Sequence, residues 1–156
     1  FVMKKIFDGT NSLDQFDFIF IDCPPALSLL TVMAMTAATS VIVPLQCEFF
    51  ALEGLSQLIK TIDRVRQNLN PILNIDGIVL TMFDKRNKLS SQVAHDVRTH
   101  LKEQVYETII PRNVRMSEAP SFGLPALMYD HNASGSQAYI ALANEIMKQN
   151  KTQEAA

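Results

Sequence analysis

Four short runs in this chain, residues 16–21, 41–45, 78–83 and 105–110, are almost continuously apolar and rich in β-branched or aromatic side chains. A strand with one face in water alternates between apolar and polar residues, so runs without alternation fit strands buried on both faces. Segments of helical period lie between them. Leu52, Leu55, Leu58, Ile59, Ile62 and Val65 form one apolar stripe, and Val93, Val97 and Leu101 form another. The order strand, helix, strand, helix, with connections long enough for crossover helices, specifies an α/β fold: a mainly parallel sheet with helices on both faces. Residues 27–38 are apolar almost all round, as in a helix packed deep against such a sheet. A last helix is expected from near Ser134, where Ser134 and Gln137 have capping-box spacing, with Tyr139, Leu142, Ile146 and Met147 on one face. A chain of 156 residues, 47% of them hydrophobic, has enough apolar side chain for one core. One domain is therefore expected over residues 1–150, with 151–156 a frayed polar tail.

Several function classes are disfavoured at once. No run approaches the roughly 18 consecutive apolar residues of a membrane span, and the N-terminus lacks the layout of a signal peptide, so the chain reads as soluble and intracellular. Cys23 and Cys47 are far apart, which suggests neither a disulfide framework nor a zinc site; both read as reduced thiols. His95 and His100 fall on different faces of one expected helix, and His131 lies in a polar loop, so none is assigned a metal or catalytic role. The seven methionines read mostly as core filler. A net charge of -2 argues against a surface coated for nucleic acid, but not against a local basic patch.

In open α/β sheets, ligands sit beyond the carboxyl ends of the strands. The four loops expected there carry Asp22-Cys23-Pro24-Pro25, Gln46-Cys47-Glu48, Asp84-Lys85-Arg86-Asn87-Lys88 and Pro111-Arg112-Asn113-Val114-Arg115. An acidic residue ending a buried strand can hold a magnesium ion rigidly, often through water, and Asp22 is the candidate. Aspartate also begins turns and caps helices, and that reading of Asp22 stands beside the first. Pro24 and Pro25 would stop the strand and stiffen the loop. Lys85, Arg86, Lys88, Arg112 and Arg115 are brought to one edge, with Asp84 and Glu118 the nearby acids. Such a patch can bind DNA phosphates without reading sequence, although solvated loop charge is the simpler alternative.

Three runs carry a resemblance: Phe16-Asp17-Phe18-Ile19-Phe20-Ile21-Asp22-Cys23-Pro24-Pro25, Val43-Pro44-Leu45-Gln46-Cys47-Glu48-Phe49-Phe50-Ala51-Leu52-Glu53-Gly54-Leu55 and Ile110-Pro111-Arg112-Asn113-Val114-Arg115-Met116-Ser117-Glu118-Ala119-Pro120-Ser121. Together they closely resemble the ParA/Soj chromosome-partitioning ATPases, in the family's order and approximate spacing, over about residues 16–149. The resemblance implies a deviant-Walker P-loop NTPase fold. ATP would close a homodimer, the dimer would bind DNA non-specifically, and a ParB-type partition protein would stimulate hydrolysis on the nucleoid in the cytoplasm. It also implies Asp22 as the Walker B aspartate on the magnesium side, Arg86 and Arg115 as DNA-binding arginines, Pro111 and Asn113 beside the adenine, and Gln46 and Glu48 on the face meeting the other protomer.

The chain departs from that pattern in three ways. No lysine-bearing glycine-rich loop of the form K-G-G-x-x-K-[ST] occurs, and there are only five glycines, so catalysis by this chain alone is not expected. Residues 129–135 carry no arginine where relatives commonly do. The opening at Phe1, without methionine, reads as the inside of a helix of a larger domain, so that the N-terminal strands and phosphate loop are missing. Sheet edges left unpaired in this way should expose apolar surface, and the isolated chain is expected to aggregate or stay partly molten. Two other readings are a MinD-like ATPase at a membrane, which calls for a basic amphipathic tail that residues 148–156 do not supply, and a non-catalytic fragment that pairs with a full-length relative.

Overall fold

The computed structural model describes residues 2–9, 13, 15–24, 26 and 28–154. Ten helices and strands follow in chain order: α1 Val2–Asp8, α2 Leu29–Ala37, β1 Ser40–Gln46, α3 Ala51–Asn68, β2 Asn74–Phe83, α4 Lys88–Leu101, β3 Val105–Pro111, α5 Val114–Glu118, α6 Ala126–Tyr129 and α7 Ser134–Glu154. The sheet has the order β1-β2-β3, with β2 and β3 parallel, and the chain has the expected α/β fold. Contacts divide it into two compact units, residues 1–41 with 56–76 and residues 42–55 with 77–156.

In the first unit α1 lies against α2, and the core is Met35, Ile62, Val65 and Leu73, joined by Val32, Leu58 and Ile75. The stripe read along α3 thus buries Leu55, Ile62 and Val65 and half-buries Leu58 and Ile59, while Leu52 in its first turn is exposed. Asn70, only 2% exposed, closes this core. Its amide nitrogen donates to the carbonyls of Met35 at 2.9 Å and Ala38 at 2.8 Å, serving orphan acceptors at the end of α2.

The second unit is built on Val79, Tyr106, Ile110 and Leu142, with Met116, Ala138 and Ile146 packed against them. Helix α7 lies along β3. Pro44 sits in β1, an edge strand of this sheet, where a residue without an N–H is tolerated. At β2 Gly77 is needed for close approach, since a Cβ there would lie 2.5 Å from Cε2 of the buried Tyr106 ring. The pairing of β2 with β3 is interrupted. Ile78 faces Val105 and Leu80 faces Ile109, so β3 advances four residues (105 to 109) while β2 advances two (78 to 80). Side chains serve the displaced peptides. Glu145 accepts from the N–H groups of Glu107 at 2.6 Å and Thr108 at 3.0 Å, and Arg98 donates to the carbonyls of Tyr106 at 2.9 Å and Glu107 at 3.0 Å.

Four sequence expectations are corrected. Residues 16–21 form no strand. Phe16, Phe18, Ile19 and Phe20 are exposed, Phe20 at 73%, and the rings of Phe18 and Phe20 stack on one another with centroids 6.2 Å apart. The run has the composition of a buried strand, but a strand needs a neighbour for its backbone groups, and no strand among the described residues pairs with it. The capping box at Ser134 does not form either. Ser134 is already helical, its hydroxyl accepts from Asn113, and the Gln137 amide donates to the His131 carbonyl. Asp130 instead ties the entry to α7 through the N–H groups of Asn132 and Ala133. Among the methionines, Met35 is buried while Met82, Met128 and Met147 are substantially exposed, so core filling describes only part of them. Finally, α2 starts at Leu29; Pro25, Leu27, Phe1 and the end of the expected tail, Ala155 and Ala156, lie outside the described residues.

Candidate functional site

The loops after β2 and β3 leave the sheet side by side, because Phe83 pairs with Pro111 and the N–H of Arg112 donates to the Phe83 carbonyl at 2.9 Å. Met82, just before this point, is a non-glycine residue with φ of 53°, in the left-handed region, within the second register shift of the ladder. Each loop then turns into a helix by the same device. Asn87 accepts from the N–H of Leu89 at 3.0 Å to start α4, and Asn113 accepts from the N–H of Arg115 at 2.9 Å to start α5. The Asn113 amide nitrogen also donates to Ser134 Oγ at 2.8 Å, which joins the loop to α7.

Between the loops is an open cleft of about 1070 Å³, whose wall includes Asp84, Lys85, Arg86, Pro111, Arg112 and Asn113. Asn113 has spent one amide hydrogen and one oxygen lone pair on Ser134 and Arg115, which leaves one donor and one acceptor. The cleft therefore joins an apolar wall at Ile109 and Pro111, a polar edge at Asn113 and positive charge at Lys85 and Arg112. That combination fits a nucleobase with its attached anion.

The basic residues are not equivalent. The side chain of Arg86 is 89% exposed, yet its Nε and Nη2 donate to the two oxygens of Asp84 at 3.0 and 2.9 Å, and its backbone N–H donates to the same carboxylate at 3.0 Å. These bonds, first the side-chain and then the backbone one, hold Asp84 down to about 2, and Asp84 raises Arg86 in turn. Arg115 donates to Glu118 Oε2 at 3.1 Å and lies 3.7 Å from Asp130 Oδ2, while the Tyr129 hydroxyl donates to the same Glu118 oxygen at 3.2 Å. Glu118 first and Tyr129 second raise Arg115.

The structure brings Arg86, Pro111 and Asn113 to one cleft, and puts Arg115 at the start of α5, bonded through its backbone to Asn113. Gln46 and Glu48 are exposed on either side of Cys47, whose N–H donates to Thr81 and whose carbonyl accepts from Ser90. Burial pushes the Cys47 thiol up, opposed by the charge of Arg98. Asp22 belongs to the other unit, is exposed, and follows no strand, so its metal-holding role rests on the family resemblance alone. Among the described residues no three His, Cys, Asp or Glu side chains are grouped to hold a metal ion. Sequence reasoning missed the Asp84 and Glu118 pairings as structural facts, although the D-x-R and R-x-x-E spacings were available. It also missed Glu145 and Arg98, which are far in sequence from the peptides they serve.

A family model described as an AAA domain matches residues 2–75. The chain is 61% identical over 153 residues to the chromosome partitioning protein ParA of Caulobacter vibrioides, covering 98% of this chain and 57% of that protein. It is 51% identical over 132 residues to the sporulation initiation inhibitor protein Soj of Bacillus subtilis, covering 85% and 52%. Among solved structures, a cobyrinic acid a,c-diamide synthase from Mycobacterium smegmatis with bound ADP and magnesium matches with a TM-score of 0.74 and 34% identity, covering 97% of this chain and 54% of that one. The septum site-determining protein MinD from Pyrococcus horikoshii, complexed with Mg-ADP, matches with a TM-score of 0.72 and 26% identity, covering 92% and 55%. The chain spans somewhat over half the length of these relatives.

Proposed function

This chain belongs to the ParA/Soj family of chromosome-partitioning proteins, and we propose that it supplies the cleft, the DNA-contacting loops and the magnesium-side aspartate of a DNA-segregating ATPase. The observation that carries this reading is the juxtaposition, through the Phe83 and Pro111 pair, of the open cleft lined by Pro111 and Asn113 with the Arg86 loop and the start of α5 at Arg115.

In this reading the adenine of ATP packs on Pro111, and the remaining donor and acceptor of Asn113 meet its edge. Asp22 holds magnesium through water; the metal, when bound, offsets charge on the phosphates during attack by water. Arg86 and Arg115 engage DNA phosphates, which positions the protein without reading sequence. Gln46 and Glu48 face a second protomer when ATP closes the dimer, and a ParB-type partner stimulates turnover in the cytoplasm, on the nucleoid. No helix among the described residues is long and apolar enough to cross a membrane. The fold shared with MinD favours no membrane role, since the relatives of higher identity are named for chromosome partitioning.

The test uses the whole protein that carries this chain. Arg86→Ala with Arg115→Ala should abolish DNA retention at fixed salt and leave ATP binding in place; unchanged DNA affinity in the double variant rejects these residues. Asp22→Ala should stop magnesium-dependent turnover, and normal hydrolysis would remove Asp22 from the site.

A further inference from the structure

Three ion pairs hold the two arginines assigned above to DNA: Arg86 with Asp84, and Arg115 with Glu118 and with Asp130. Lys85, Lys88 and Arg112, on the same loops, form none of these pairs. The partners are local, at spacings of two and three residues for Asp84 and Glu118, so the loops themselves place each carboxylate in its arginine's fork. At Arg86 the match is bidentate, the geometry in which a guanidinium also takes a phosphate.

We propose that Asp84 and Glu118 are internal competitors of DNA phosphate: Asp84 occupies one edge, and Glu118 one nitrogen, of a guanidinium that DNA must engage, so the DNA face is held partly neutralised. This rests on the DNA reading of Arg86 and Arg115. The carboxylates act in two ways. They engage part of each guanidinium, and they cancel its charge at the distance where a phosphate would sit, weakening the attraction even where free N–H groups remain. The expected result is DNA binding that is weak, reversible and less salt-dependent than a count of basic residues implies. Asp84 is the stronger of the two competitors, because the Arg86 backbone N–H also fixes its carboxylate. Glu118 shares its oxygen with the Tyr129 hydroxyl.

The test measures binding of a fluorescent random-sequence duplex to the whole protein that carries this chain, with ATP and magnesium present, over a series of salt concentrations. Asp84→Asn and Glu118→Gln keep shape and remove charge. Each is expected to tighten binding about tenfold, the scale of one charge-assisted contact, and to steepen the slope of log K against log salt by about 0.9 for each arginine released. The gain from Asp84→Asn should shrink at least severalfold in an Arg86→Ala background, and the gain from Glu118→Gln likewise with Arg115→Ala. Equal gains in both backgrounds would mean that only net charge matters, and would overturn the competition. Binding by the parent that the two amide variants leave unchanged or weaken overturns it too, and leaves the DNA reading standing. Failure of even the doubly neutralised variant to bind duplex at low salt rejects both together.

Discussion

Phe83 and Pro111 stand opposite one another at the ends of β2 and β3, and the Arg112 N–H closes the pair on the Phe83 carbonyl. One residue beyond this junction the chain is charged on both strands, Asp84 on one and Arg112 on the other, so the positive charge of Arg112 adds to the depression of Asp84. The position of each loop residue thus follows from the strand register. A one-residue slip would separate the Asp84 loop from the Pro111 wall.

Asp84 gives the first prediction. Its ordinary value of 3.8 falls to about 2 in the fold, through the hydrogen bonds from Arg86, then the charge of Arg86 and last that of Arg112. A carboxylate whose folded value is depressed stabilises the fold above its unfolded value and loses that contribution as pH falls through the folded one. The contribution of this pair should therefore be complete above about pH 4 and vanish toward about pH 2. A carbon-detected NMR titration of the Asp84 carboxyl should show the low value in the parent and a return toward the ordinary range in Arg86→Ala. An unchanged titration in that variant would disprove the assigned cause.

Asn70 is the second case. Its amide serves two carbonyls at the end of α2 from inside a buried site. Replacing it with alanine leaves those acceptors without that donor and opens a small void, for an expected loss of about 1–3 kcal/mol. Urea unfolding measures this as a lower midpoint at constant slope. A loss below about 0.5 kcal/mol would place Asn70 among ordinary surface substitutions.

How far the sequence foretold this depends on the range of the interaction. The stripe Leu55, Ile62 and Val65 required only local periodicity, and α3 is where that period put it. The runs in β2 and β3 were legible for the same reason. Residues 16–21 were not, because apolar composition shows what a strand would bury but does not supply its neighbour. The Ser134 and Gln137 spacing was misleading because Asp130 and His131 offered competing partners one turn earlier. Of the candidate site, the clustering of Arg86, Pro111 and Asn113 could be read from strand order. The pairing of Asp84 with Arg86 needed the turn geometry that returns the Asn87 N–H to the Asp84 carbonyl.

Gly77 gives the third prediction, through sterics alone. An added methyl would meet the edge of Tyr106, a ring 1% exposed and therefore without room to swing away. Gly77→Ala should cost about 1–3 kcal/mol by overpacking. Combining it with Tyr106→Leu should give less than the sum of the two single losses, because the second change removes the atoms the methyl strikes. Strict additivity in thermal or chemical unfolding would exclude the clash.

The fourth prediction concerns the displaced peptides of β3. Glu145, 38 residues from Glu107, uses both carboxylate oxygens on neighbouring N–H groups, while Arg98 takes two carbonyls of the same stretch. Strand β3 lies at an edge of the sheet, where groups without partners invite pairing with another chain. Glu145→Ala should therefore lower stability by about 1–3 kcal/mol and, more tellingly, speed amide exchange at Glu107 and Thr108 while leaving Val79 and Leu80 in the neighbouring strand protected. Glu145→Gln retains one carbonyl oxygen as acceptor but sets an amide NH₂ against the second N–H, so it should deprotect one of the two sites more than the other. Uniform acceleration across both strands would mean that Glu145 acts only on global stability, whereas a change confined to residues 107 and 108 identifies it as the clamp on the bulge that shapes the cleft wall.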